Sequence, residues 1–397
     1  MHKLSRNEKL IISISAIFAL SNVLSSLFLN VYLFIYTESL ISMAIYTSIR
    51  LILFPPSEIM AARIAKKWGY TFPIMFGLMM IMACLIFTLY VGDGFAVHPN
   101  LVYVVAMMSG IGEGSYYVCI NTLNQKCTTI ESRANFLTIA GVLGNLGSMV
   151  GPFISTYILS ISADDIAGYS MIFKLILVFY LIILIICCFL KVEKEEHELK
   201  VLPVMNIKKD LDWCYCCVLS FINGVRDVFP LALSGLMVYQ ATGNDGEIYS
   251  QLLSVFSVIT VFSYAYLKRY LNSSKWLKMY NIGAVITAVS MLAMVVFNNI
   301  FGAILYGVCN ALSAGTFTNP FSFDTMNVLG KYHDSIMSRM IAKEIYLTLG
   351  RVGAMLLVVA LSFVLPDAYL TIGAVLAALS PIVIIILVNR YHQMDRL

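Results

Sequence analysis

Long apolar runs alternate with short polar turns along the whole chain. Twelve runs approach or exceed the roughly 20 residues that a membrane span requires: 10–36, 40–62, 70–91, 101–124, 135–161, 168–190, 213–241, 248–267, 276–297, 300–323, 339–365 and 368–389. Polar punctuation separates most of them, as in TES (37–39), GDGFAVHPN (92–100), SADD (162–165), ATGNDGE (241–247) and PD (366–367). A strand edge cannot satisfy its backbone groups in hydrocarbon, so every span is predicted to be a helix. The predicted fold is an all-α integral membrane protein with twelve transmembrane helices in two six-helix bundles.

Basic residues fix the expected orientation. Lys3, Arg6 and Lys9 lie in the N-terminal tail, Arg63, Lys66 and Lys67 after segment two, and Lys126 and Arg133 after segment four. Lys191, Lys194, Lys200, Lys208 and Lys209 follow segment six, and Lys268, Arg269, Lys275 and Lys278 follow segment eight. Lys331, Arg339 and Lys343 follow segment ten, and Arg390 and Arg396 close the chain. Together these are 22 of the 26 Lys and Arg residues, and the alternate connections hold none. The positive-inside rule then places both termini in the cytoplasm. The longest polar stretch, 191–212, divides the chain into an N-terminal bundle (1–190) and a C-terminal bundle (213–397) and reads as a solvated cytoplasmic linker.

Composition agrees with the pattern. Apolar residues are 60% and charged residues 12%, against roughly 45–50% and 25% in soluble domains. The net charge of +4 gives no reason to expect nucleic-acid binding. Of nine cysteines, Cys84, Cys119, Cys187, Cys188 and Cys309 sit in apolar runs. Cys214, Cys216 and Cys217 lack zinc-site spacing, so all read as small apolar residues. The first run is too long for a signal h-region and lacks a following small-residue cleavage site, so no cleavable leader is expected. There is no nucleotide loop, metal triad or nucleophile elbow; HEL (197–199) lacks the second His of a metalloprotease motif. No cofactor and no enzyme activity are expected.

The halves echo each other. Ser132-Arg133 precedes Gly144 and Gly147 in segment five, and Ser338-Arg339 precedes Gly350 and Gly353 at the same intervals in segment eleven. Parallel six-helix repeats are a trace of two-bundle transporters. The 6+6 pattern with cytoplasmic ends resembles the major facilitator superfamily over essentially the full chain. GVLGNLGSMVGPF in segment five, with Gly147, Gly151 and Pro152, resembles the GxxxGP core typical of exporters in that family. AARIAKKWGYT (61–71) stands where the family carries G-x-L-A-D-R-x-G-R-K. Lys67 and Gly69 fit, whereas Ala62, Lys66 and Tyr70 replace the first Gly, the Asp and the Arg, which leaves the usual cytoplasmic charge relay in doubt. Arg226-Asp227 and KEIYLTLGRVG (343–353) are similar to the YqgE-like transporters of Gram-positive bacteria. The resemblance implies alternating access, a cell-membrane location, a bacterial source and a monomer.

The candidate chemistry lies in charges inside the spans. A mid-bilayer cation costs about 2.5–3.5 kcal/mol on insertion scales and is retained only beside a cavity or a partner. Arg50, Lys174, Arg226 and Arg351 fall within spans, as do Glu58, Glu113, Asp227 and Glu344, with Asp324 at a span end. Arg351 lies two turns from Glu344, flanked by Gly350 and Gly353, where a helix can approach closely. It reads as a cavity residue for an anionic or carbonyl group, or as a structural tie to Asp227 or Glu113. Arg226 and Asp227 point about 100° apart on a helix, Asn223 shares the face of Asp227, and Pro230 breaks the helix beyond; one of the pair is expected to touch cargo. Glu113, amid Gly110, Gly112 and Gly114, reads as a proton-coupling acid or as a partner of Arg50 or Arg351. A carboxyl in low dielectric holds its proton more tightly than in water, which suits proton exchange near neutral pH. Tyr116, Tyr117 and Asn121 follow on the same helix and read as an amphipathic wall or as plain packing. Glu58, past Pro55-Pro56, reads as gate or interface, and Lys174 as a snorkelling side chain.

The expected function is secondary active transport: proton-coupled export of a small amphipathic molecule with an anionic or zwitterionic part, sodium being the alternative ion. A lipid or glycolipid flippase and a non-transporting receptor on the same fold are the alternatives.

Overall fold

The structure, a computed structural model, describes residues 5–127, 130–192, 199–271, 275–332, 336–366 and 368–394; some side chains inside these ranges, including those of residues 130–135, are outside the description. The charge run 193–198 and the HEL motif's His197 and Glu198 also lie outside it, as do the side chains of Ser132 and Arg133.

Each of the twelve apolar segments is a helix. They are α1 (Arg6–Thr37), α2 (Leu40–Trp68), α3 (Thr71–Val91), α4 (Leu101–Lys126), α5 (Ile130–Ser160) and α6 (Asp165–Cys188) in the first half. In the second, α7 runs as Leu211–Val228, a π-helical turn Phe229–Leu233 and Ser234–Ala241. It is followed by α8 (Gly246–Leu271), α9 (Trp276–Val296), α10 as Ile300–Ser313, a π-helical turn Ala314–Thr318 and Asn319–Leu329, α11 (Ile336–Val364) and α12 (Tyr369–Met394). Among the described residues, nine helices are long and apolar enough to cross a membrane.

Sequence sets where these helices start and where they distort. Ser5 and Glu8 form a reciprocal capping box on α1, and the side chains of Asp164, Asp210 and Asn299 accept the N–H of Ala167, Trp213 and Gly302. Each satisfies a backbone donor left open by helix geometry. Pro230 and Pro320 lack the N–H needed for an α-helical bond to the residue four back, and a π turn lies at each. There the N–H of Ser234 reaches the carbonyl of Phe229, and that of Asn319 reaches Ala314. Pro230 marks its turn in the sequence; α10 shows the same device at Asn319-Pro320, which the apolar pattern hides. In α2 the helix continues through Pro55 and Pro56.

The outward faces are as apolar as the interior. On α6, Ile172, Phe173, Ile176, Tyr180 and Ile183 are buried, while Val178, Leu181, Ile182 and Ile185 are exposed. Exposed apolar surface on that scale marks a membrane or partner contact, and in the second half α9 likewise exposes Ile282, Val285 and Val289.

The chain divides into two compact units, Met1–Glu38 with Ile49–Leu199, and Ser39–Ser48 with Lys200–Leu397. In the first, α1 packs on α5 and α6, and α3 on α4. In the second, α7 packs on α11 and α12, and α9 on α10 and α12. The later part of the linker is folded onto the second unit: Val201–Val204 is a helical turn, Trp213 donates from Nε1 to the carbonyl of Val204 at 2.7 Å, and Tyr346 donates to Met205 at 2.9 Å. Ser338 accepts the N–H of Lys200 at 3.0 Å, and the Arg339 guanidinium lies 3.5 Å from the ring centre of Tyr332.

Candidate functional site

In the first unit the site begins with glycines. A Cβ on Gly110 would collide with the carbonyl of Arg50, and one on Gly114 would stand 2.6 Å from the carbonyl of Phe54. Gly112 does the same for α3, its Cβ position lying 2.8 Å from the carbonyl of Gly77. The three glycines let α4 lie against α2 and α3, backbone to backbone. That approach brings Glu113 to Arg50. Nε and Nη2 of Arg50 donate to the two carboxylate oxygens at 3.0 and 2.7 Å. The side chains are 19% and 10% exposed, so neither is sealed off. Tyr117 stands beside this pair, edge-on to Phe18 at 5.4 Å and tilted to Phe54 at 5.9 Å. Asn121, one turn further on, is exposed. Glu58 is buried on α2, and Lys174 is exposed on α6.

The second unit repeats the device. Cβ positions on Gly224 and Gly350 would strike the opposing backbone, Gly224 at Leu347 and Gly350 at Phe221, so α7 and α11 touch there. Gly353 does not share this role, since nothing lies within 4 Å of its Cβ position. Asp227, 6% exposed, receives Arg351 on Oδ2 at 3.1 and 2.8 Å and Arg226 on Oδ1 at 3.1 and 2.7 Å. Arg351 also donates to Glu344 at 3.2 Å. Two cations and two anions thus form one chain, Arg226–Asp227–Arg351–Glu344. A helical step of 100° separates Arg226 and Asp227 at Cβ, but the long arginine side chain folds back onto its neighbour's carboxylate. Asn223 is buried here; its Oδ1 and the Oγ1 of Thr348 have no hydrogen-bond partner among the described residues.

Arg226 and Asp227 also wall a cavity of about 340 Å³, together with Pro230, Thr287, Met291, Asn310, Ser313, Ala314 and Thr318. Both π turns line it. Segment nine supplies Thr287 and Met291. Nothing in its apolar sequence marks these two. Arg226 lies 5.3 Å from the ring centre of Phe317.

The remaining motif residues pack within the first unit. On α5, Gly147 and Gly151 face α1; a Cβ on Gly147 would come 3.2 Å from the carbonyl of Ala16, and Pro152 is buried. Gly69 has φ 86°, the left-handed region that favours glycine. Lys67 is exposed over Trp68 at 5.2 Å. Tyr70 is buried, with Lys126 5.6 Å from its ring centre. A cluster unmarked by the spacing of charges sits at one end of the second unit. There Asp324 accepts from Tyr215 and pairs with His392 at 3.0 Å, while Tyr215 stacks on Tyr391 at 3.8 Å.

Asp212, one residue ahead of the apolar run of segment seven, accepts from Lys331 and from Tyr391. The Lys331 ammonium, then the Tyr391 hydroxyl, hold its carboxyl below the usual range. A depressed carboxyl contributes stability that is complete above its unfolded value, about 3.9, and fades as pH falls toward its folded value. Asp212→Asn is therefore expected to melt below the wild type at pH 6 and to close that gap progressively as pH falls below about 4; a gap constant with pH would assign the loss to packing.

Twelve helices whose outward faces are apolar, with compensated charges inside each half, define a polytopic helical membrane protein of the transporter class. Residues 10–396 match the Major Facilitator Superfamily, and the chain belongs to that family, whose members are transporters rather than enzymes. It is 26% identical over 351 residues to the uncharacterized protein YqgE of Bacillus subtilis (strain 168), covering 87% of this chain and 80% of that one. The similarity therefore extends beyond the second-half motifs. Among solved structures, the fold is similar to the nucleoside transporter NupG (TM-score 0.69, 12% identity, 98% of this chain and 99% of that one). It is also similar to the Escherichia coli fucose:proton symporter FucP (TM-score 0.63, 16% identity, 96% and 97%).

Proposed function

We propose that this protein is a proton-coupled secondary transporter that exports a small amphipathic molecule with an anionic or zwitterionic part. It works as a monomer in a bacterial cell membrane, with both termini cytoplasmic. Two six-helix bundles, 1–190 and 213–397, rock about the cargo, joined by 191–212. The observation that carries this reading is the pairing of a buried carboxylate with arginine in each half, at a glycine-lined helix crossing. A carboxylate held by a guanidinium can exchange that partner for a proton when cargo competes for the arginine. Glu113 is the first candidate carrier and Asp227 the second. The packing of Gly147 and Gly151 against α1 supports export, since this is where the exporter-type motif lies.

The test uses proteoliposomes with an internal pH dye, challenged with a panel of small organic acids, amines and zwitterions. Solute-evoked proton movement is expected from the wild type and not from Glu113→Gln. Undiminished proton movement in that variant removes Glu113 from coupling. Solute binding without any flux would make the protein a receptor, and flux of labelled lipid alone would make it a flippase.

A further inference from the structure

We infer that the cavity inside the second unit is a binding site for a small hydrophilic carboxylate, with Arg226 as its anchor and α9 as its far wall. The inference deepens the transport reading and rests on it for the role of the site, though the binding itself can be measured alone.

Charge comes first. Asp227 is one carboxylate shared between two guanidinia, Arg226 on Oδ1 and Arg351 on Oδ2. The second acid of the chain, Glu344, reaches only Arg351 at 3.2 Å and is absent from the cavity wall. Arg351 is absent from that wall as well, so the wall carries one cation and one anion, Arg226 and Asp227, and the anchor is the part of the Arg226 guanidinium that Asp227 leaves unused. Arg226 has donors to spare: Nε and Nη2 are spent on Asp227, while Nη1 has only a 3.5 Å contact to the Thr318 hydroxyl. A guanidinium offers its donors in a fork that matches a carboxylate.

The other walls specify the rest of the ligand. Asn310 can donate and accept. The hydroxyls of Ser313 and Thr287 donate to the carbonyls of Asn310 and Gly283, which leaves their oxygens free to accept. These groups suit a hydroxyl or amino substituent. Met291, Pro230 and Ala314 add a short apolar face. At about 340 Å³ the space lies at the small end of ligand pockets, about 300–1,000 Å³. The fit is a carboxylate of a few carbons bearing a polar substituent, such as a short hydroxy or amino acid.

The cavity depends on backbone geometry that substitution can reach. Pro230, Ala314 and Thr318 come from the two π turns, so the widened helical turns form part of the wall. Met291, 1% exposed, lines the cavity from α9. It offers a way to fill the space while leaving the arginines in place.

The experiment is isothermal calorimetry on the purified full chain, with lactate and its uncharged analogue lactamide as probes. Lactate is expected to bind, and lactamide at least about tenfold more weakly, since the amide lacks the charge that strengthens a carboxylate's hydrogen bonds to a guanidinium. Arg226→Gln, which leaves Arg351 on Asp227, should weaken lactate by a similar factor. Met291→Trp should abolish binding by filling the space, whereas Lys174→Gln, an exposed cation on α6, should leave it unchanged. No lactate binding to wild type, equal affinity for lactamide, or binding that survives both Arg226→Gln and Met291→Trp overturns the site. Lactate binding without proton movement would overturn the coupling reading and keep the site; proton movement evoked by solutes other than carboxylates, with no lactate binding, would do the reverse.

Discussion

Asp227→Asn is expected to be the most damaging single substitution among the intramembrane charges, lowering the melting temperature well beyond the effect of Glu344→Gln. Asp227 compensates two guanidinia at once and is 6% exposed. Asparagine keeps the size and removes the charge, so Arg226 and Arg351 would face each other with no anion between them. Breaking a buried pair by removing one partner costs about 3–5 kcal/mol, and here two pairs depend on the one carboxylate. Glu344 meets Arg351 through a single 3.2 Å contact with its side chain 19% exposed, so its loss is screened more and costs less. Thermal melts of the two purified variants in one detergent check the order. Adding Arg226→Met to Asp227→Asn should recover part of the loss, because one uncompensated cation is removed. Equal melting of Asp227→Asn and Glu344→Gln would mean that Asp227 does not bear the charge of both arginines.

The second large effect lies in the glycines. Gly350→Ala and Gly110→Ala should each destabilise the protein, whereas Gly353→Ala should be neutral or stabilising. All three are helical, and alanine is intrinsically better there by about 1 kcal/mol. At Gly353 the added methyl meets nothing within 4 Å, so the intrinsic gain is expressed. At Gly350 it would run into the carbonyl of Phe221, and at Gly110 into that of Arg50. Backbone cannot rotate aside as a side chain can, so the helices must part. Overpacking costs about 1–3 kcal/mol, and separation also lengthens the Asp227–Arg351 or Arg50–Glu113 bonds. Melting temperatures of the three variants give the comparison. A stable Gly350→Ala variant would show that α7 and α11 do not meet as closely as described.

Much of the architecture was legible in the spacing of residues. Run lengths located all twelve helices, most ends to within a few residues and those of α2 and α10 to within six, because lipid imposes a minimum length and one secondary structure. The glycines beside Arg351 pointed to a close approach, and the structure shows that the approaching helix is α7. What spacing could not carry was the partner of each charge. Arg351 had Asp227 and Glu113 as equal prospects, since helix periodicity gives an azimuth and no neighbour. Gly350 and Gly353 looked equivalent for the same reason, yet only Gly350 faces α7. The cavity was hidden too. Its walls from α9 and α10 use Thr287, Met291, Asn310 and Ser313, which are ordinary residues in apolar helices. The π turn of α10 is traceable only through Pro320, a signal that run length ignores.

The backbone contact at Gly224 and Gly350 has a mechanical consequence. With no side chains interposed as a cushion, α7 and α11 are clamped there, so a tilt of either would carry the other with it. Arg226 at the cavity wall and Arg351 across the clamp grip opposite oxygens of the same carboxylate, so a tug on one is transmitted to the other helix through a single rigid group.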